Sequence, residues 1–161
     1  MQLSILVGSY RDRQQFALDR GIATRFSGYF WNRCYGPSSH IAQRDFHCAA
    51  ARPVTFGRFL NWVTSRYPTK PPEDRFNLEL YDLACRLDVP LLINDLTEEF
   101  RREFITNLPD SNELYRLYAN DSLSKLQSLG AWLWVKVLSD GQWALMNPHP
   151  HTPAGVDRRF M

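Results

Sequence analysis

The 161-residue chain has no apolar run long enough to cross a bilayer as a helix. Its first residues lack the basic-then-apolar pattern of a secretory signal, so neither a leader nor a membrane partner is expected. There are only three cysteines, Cys34, Cys48 and Cys85, odd in number, widely spaced and without a CxxC pair. They read as reduced thiols, which points to an intracellular compartment, nuclear or cytoplasmic. The eight glycines form neither GxGxxG nor GxxxxGK[ST], so nothing signals a phosphate cradle. No repeat at solenoid periods is present, and the formal net charge of +2 is too small to argue for nucleic acid by itself.

Chemistry-bearing residues are equally sparse. An enzyme needs a nucleophile with a base, a carboxylate pair, a metal cluster or a phosphate loop. Of the four histidines, His47 adjoins Cys48, and neighbours on a strand diverge. His149 and His151 lie in a Pro-rich tail that reads as solvated. Asp95, Glu98, Glu99 and Glu103 share one helix with Arg101 and Arg102, the pattern of a salt-paired surface. No catalytic residue, cofactor or metal site is therefore expected. Sixteen of the nineteen basic residues are arginine, but those of the first half are scattered rather than clustered, so direct nucleic-acid binding is not expected. The charge is uneven along the chain: residues 1–70 sum to +7 and residues 71–161 to −5. Either the two halves attract each other, or the molecule pairs head to tail or recruits an acidic partner.

What is present is a packing pattern. The 44% apolar and 22% charged residues suit one globular domain of this length. Leu3, Ile5 and Val7 alternate as a strand, and Gln15 to Leu18 completes a hairpin. Ile22, Phe26, Tyr29, Phe30 and Arg33 predict one helix ending near Gly36-Pro37. A third strand is expected over residues 40–46, with Ile41 and Phe46 as its apolar positions. Helices follow: Phe56, Phe59, Leu60 and Val63 behind Pro53; Leu80, Tyr81, Ala84 and Leu87; then Leu92, Leu96, Phe100 and Phe104 after Pro90. Asp110 with Glu113 reads as a capping box opening a helix through Leu114, Leu117 and Tyr118. A last helix runs from about Leu123 to Leu138, and residues 141–161 form an irregular Pro-rich tail behind a domain of residues 1–140. The class is α+β, a small three-stranded sheet capped by a cluster of helices.

Three blocks carry a family resemblance. Phe16 is followed eleven residues on by Ser27 and then by Tyr29-Phe30. Next come Phe56, Phe59, Leu60, Trp62 and Thr64-Ser65, and finally LYDLACRLDVPLL from Leu80 to Leu92. In this order and spacing they resemble the BTB/POZ family, in particular its divergent versions from filamentous fungi, over about residues 3–138. Asp19 stands where the family has a histidine, Ala23 where it has a leucine, and Thr64 where it has a turn tyrosine. A larger neighbour of Ala23, Phe26 or Trp31, is expected to fill the space. The resemblance implies a non-enzymatic protein-protein interaction module, a homo-oligomer or the scaffold or adaptor subunit of a larger assembly. The alternative is a substrate adaptor of a cullin-type ubiquitin ligase. Relatives of that kind carry an acidic residue in the loop before the third strand, whereas no Asp or Glu lies between Arg20 and Arg44. Members that form the intertwined dimer have an extra helix and strand ahead of the first strand, so that dimer is not expected here.

The last helix is apolar nearly all round. Leu126, Leu129, Leu133 and Val137 make one stripe, with Trp132, Trp134, Val135 and Leu138 elsewhere, so either the tail with Trp143, Leu145 and Met146 or a partner must cover it. Trp132 and Trp134 point about 200° apart, so one faces the core, against the helix of Leu114, Leu117 and Tyr118, and the other does not. Trp132, three residues after Leu129, lies nearer the stripe. Candidate partner-binding residues are Phe26, Tyr29 and Trp31 on the first helix and Trp132, Trp134 and Trp143 at the end of the chain.

Overall fold

The computed structural model describes residues 1–37, 45–70 and 74–139, except for the side chains of Val137 and Leu138. Strands β1 (Gln2–Val7) and β2 (Gln14–Asp19) pair antiparallel, Leu3 opposite Leu18 and Ile5 opposite Phe16, so these four residues share one face. Strand β3 (Asp45–Cys48) runs parallel to β1 on its other edge, giving the order β2-β1-β3. Leu3, Ile5 and Val7 on the central strand are buried, as their alternation predicts. The third strand lies later than expected, and Ile41 falls with residues 38–44 outside the described residues. Phe46 belongs to both placements and is taken up by the core; His47 and Cys48 offer no alternation from which to extend a strand.

The single helix expected over residues 22–35 is two helices, α1 (Arg20–Phe26) and α2 (Gly28–Tyr35). Ser27 separates them in an extended conformation and serves both: its N–H donates to Ala23 O, and its hydroxyl oxygen accepts from Phe30 N–H at 3.2 Å. That is the local side-chain competition for backbone groups that makes serine a cap rather than an interior residue. The same hydroxyl donates to Leu87 O. Asp19 caps α1 through Ile22 N–H at 3.1 Å, and α2 stops at Tyr35 with Gly36 as its cap. Ala23 is buried, whereas the Trp31 ring is half exposed to solvent.

Helix α3 (Pro53–Ser65) starts at its proline and buries Phe56 and Phe59 together with Trp62, whose indole N–H donates to Asp95 at 2.8 Å. Helix α4 (Leu78–Arg86) buries Leu80, Tyr81 and Ala84. It turns into α5 (Pro90–Thr106) through Leu87-Asp88-Val89. Asp88 is left-handed (φ 49°), Val89 is outside the helical region (φ −116°, ψ 79°), and Pro90 opens the next helix with no N–H to satisfy. The corner aims two carbonyls at α2: Gly28 N–H donates to Asp88 O at 2.8 Å and Tyr29 N–H to Leu87 O at 3.2 Å. A Cβ on residue 28 would land on the Asp88 carboxylate, so the close approach needs glycine.

Leu92, Leu96, Phe100 and Phe104 are all buried along α5. Helix α6 (Ser111–Tyr118) opens with the expected capping box, Asp110 accepting from Glu113 N–H at 2.8 Å and Glu113 from Asp110 N–H at 2.9 Å. A 3-10 turn (Asp121–Leu123) then leads into α7 (Ser124–Ser139). Helix α7 packs Leu126 and Leu133 inward and lays Gly130 against Leu117, Phe100 and Phe104. The described residues thus make a mixed α+β fold with seven α-helices and a small three-stranded mixed sheet. The tail over residues 141–161 lies outside the described residues.

Ser27→Ala leaves the Phe30 N–H and the Leu87 carbonyl without their buried partner. It is expected to lower stability by about 1–3 kcal/mol in urea unfolding, and a change under about 0.5 kcal/mol would remove the junction from the stabilising contacts. Gly130→Ala is expected to act in the other direction. Its Cβ would meet Leu117 and Phe104 at 3.5 Å, ordinary contact, while helix propensity improves by about 1 kcal/mol, so thermal unfolding should move upward.

Candidate interaction surface

The aromatic residues of α2 divide by helical phase. Phe30 and Cys34 point inward and are buried, Phe30 against Phe46 at 5.4 Å between ring centroids. Trp31 and Tyr35, one turn apart, are 50% and 54% exposed and touch each other at 6.4 Å. Asn32 and Arg33 are exposed, and Arg33 stands over the half-buried Tyr29 ring at 5.6 Å. At about 100° per residue, the outward face of α2 runs from Trp31 and Tyr35 through Asn32 to Arg33 and Tyr29.

Arginines from neighbouring elements complete this face. Arg20 is 4.7 Å from the Tyr35 ring and donates to Cys34 O at 3.2 Å. Arg66, the left-handed cap of α3, lies over Phe26 at 3.9 Å and over Trp62 at 5.0 Å, and Arg25 approaches Phe26 at 5.6 Å. Phe26 itself is half-buried against Trp62. Of the three candidates on this side, Trp31 is the exposed anchor, whereas Phe26 and Tyr29 serve mainly as floors beneath guanidinium groups.

Helix α7 resolves its tryptophan pair against the leaning of the sequence. Trp134 is half-buried and meets Phe104 of α5 edge-on at 6.0 Å; Trp132 is 57% exposed with Lys136 over its ring at 5.8 Å. The inward ring is thus Trp134, which meets Phe104 of α5. Val135 is 66% exposed, so α7 is not covered all round among the described residues. Trp143 lies outside the described residues.

The titratable clusters look structural. On α5, Asp95 accepts from Trp62, Glu98 pairs with Arg101 at 3.0 Å, and Lys70 reaches Glu99 and Glu103. Arg102 donates to the Glu98 carbonyl rather than to a carboxylate. His47 is exposed while Cys48 turns partly inward, the divergence expected on a strand, and burial pushes the Cys48 and Cys85 thiols up, away from thiolate character. Among the described residues no three His, Cys, Asp or Glu side chains gather where they could hold a metal ion. Sequence spacing misses a groove of about 370 Å³ floored by Leu78, Leu83 and Leu123 and flanked by Arg52 and Arg86, each paired with a carboxylate. Its walls come from segments far apart in the chain, so no local motif marks it.

Compared with known proteins, the chain matches no family model and no curated relative.

Trp134→Ala is expected to destabilise the fold by about 2–3 kcal/mol, somewhat below the roughly 3–5 of a fully buried aromatic. Trp132→Ala is expected to stay within about 0.5 kcal/mol of the parent. Paired circular dichroism melts check this, and equal losses in both variants would contradict the assignment of inward and outward rings.

Proposed function

We propose that this chain is a BTB/POZ-type protein-protein interaction module without enzymatic activity, acting as a homo-oligomer or as the scaffold or adaptor subunit of a larger assembly. One observation carries the interaction reading. Trp31 with Tyr35 on α2, and Trp132 with Val135 on α7, are each at least half exposed. Large aromatics at such positions gain nothing for the fold and are the residues that anchor interfaces.

The family part of the reading has separate support. The three sequence landmarks lie far apart in the chain yet interlock in space. Ser27 of the first donates to Leu87 O of the third, Gly28 and Tyr29 take their carbonyl partners from Asp88 and Leu87, and Phe26 beside them meets Trp62 of the second at 6.1 Å between centroids. Residues that build one junction have a physical reason to keep their types and spacing together.

Light scattering on the purified full chain, with affinity purification of the tagged chain from its own cells, tests the interaction reading. Self-association or a stoichiometric partner is expected, lost in Trp31→Ala or Trp132→Ala at unchanged melting temperature. A monomer at millimolar concentration with no stoichiometric partner would overturn it. Micromolar binding to a cullin N-terminal domain would replace the general scaffold role by the ligase-adaptor role.

A further inference from the structure

The outward side of α1 and α2 is cationic and aromatic at once. Arg20, Arg25, Arg33 and Arg66 have no carboxylate in ion-pair contact among the described residues. Asp19 caps α1, Asp88 sits beside Gly28, and Arg66 borders a groove that it shares with Asp95, Glu98, Glu99 and Glu103. Several other arginines are paired, as at Arg52–Glu79, Arg75–Glu113, Arg86–Asp82 and Arg116–Asp74, whereas Arg11, Arg13 and Arg102 make no ion pair among the described residues.

We propose that this face docks an acidic polypeptide segment carrying an aliphatic or aromatic anchor residue. The proposal rests on the interaction-module reading and supplies the chemistry of the partner. Arg20, Arg33 and Arg66 lie over the rings of Tyr35, Tyr29 and Phe26. Such contacts limit the rotamer freedom that a long side chain would otherwise lose on binding, and a guanidinium over a ring keeps N–H donors at its edge for a carboxylate. Beside Arg20, Trp31 and Tyr35 offer an exposed apolar ledge for one anchor side chain.

Two other occupants fit less well. A second copy would have to bring unpaired carboxylates, and the acidic face of α5 has spent its own on Trp62, Arg101 and Lys70. Single-stranded nucleic acid needs open ring faces on which bases stack. Here Tyr35 is met by Arg20 and Trp31, Tyr29 by Arg33, and Phe26 by Arg66.

The test is fluorescence anisotropy on the full chain with a labelled polyglutamate peptide carrying a central leucine pair. The comparison probes replace its glutamates by lysine, replace its leucines by serine, or are a poly-dT oligonucleotide. The acidic leucine peptide is expected to bind tightest and to weaken as salt is added. Arg25→Glu with Arg33→Glu should weaken it by more than about tenfold and Trp31→Ala by about tenfold, each near or above 1.4 kcal/mol. Arg101→Glu on α5 should change it less than about twofold, and all variants should keep the parent circular dichroism spectrum. No effect of the paired reversal, an equal effect of Arg101→Glu, or tighter binding of the oligonucleotide would overturn the proposal. If the lysine peptide binds tighter, at Trp31, the acidic partner is wrong while the interaction module stands. A chain that neither self-associates nor retains a stoichiometric partner fails the module reading itself.

Discussion

A buried carboxylate organises the helical part of the molecule. Asp74 is 3% exposed, and an ionised carboxylate cannot sit there without compensation. Its oxygens accept from Leu78 N–H at 3.0 Å and Glu79 N–H at 3.2 Å, which satisfies two of the orphan donors at the start of α4. Arg116 of α6 stands at 3.2 Å and Arg58 of α3 at 3.9 Å. Arg58, itself buried, sends its other donors to Thr69 O and to Asn77. Asn77 takes a left-handed backbone conformation and donates to Glu99 of α5 at 3.1 Å. Helices α3, α4, α5 and α6 thereby share one polar network in which each member depends on the others for its partners. Such a network specifies an arrangement more than it adds net stability, since an apolar set of the same shape would avoid the desolvation.

The second constraint, the α2 junction, decides what the molecule shows to solvent. Helix α2 is too short to hold itself together by propensity. Its first-turn donors are taken by the Ser27 hydroxyl and by the carbonyls of Leu87 and Asp88. Phe30 anchors its inner side against β3. With end and inner face both fixed, the directions of Trp31, Tyr35 and Arg33 are fixed as well. An interface on rigid elements loses less entropy on binding than one on loops, so the same contacts that build the fold preorganise the surface.

How legible this was in the sequence depended on the kind of signal. Stripes recurring over several turns, as in α3, α4 and α5, were legible because one buried face repeats the same demand. The capping box at Asp110 was legible because both partners lie three residues apart. The break at Ser27 was not, because a single extended residue barely disturbs the apolar period on either side of it. Trp132 was placed nearer the core through a stripe centred on Leu129. The buried line in fact runs Leu126, Gly130, Leu133, and Trp134 stands one turn after Gly130 on the same side. A glycine adds nothing to a hydrophobic pattern, yet here it faces Phe100 and Phe104 of α5. The Asp74 network was invisible for another reason: its members are polar and span Arg58 to Arg116, and only the fold brings them together.

The uneven charge along the chain is only partly neutralised inside the molecule. Arg52, Arg58 and Lys70 of the basic half reach Glu79, Asp74, Glu99 and Glu103 of the acidic half. The arginines of α1 and α2 do not take part. Positive charge therefore remains on the face where Trp31 and Tyr35 are exposed, and this has a consequence for symmetry. In a two-fold contact the same patch is presented by both copies, so a contact through this face would bring together two patches that each carry Arg25 and Arg33. Like charge on both patches weighs against association through this face. The α7 face bears no such restriction, since Trp132 and Val135 present an apolar patch with Lys136 lying over the indole. The two exposed aromatic surfaces are thus chemically distinct, one rich in arginine and the other apolar.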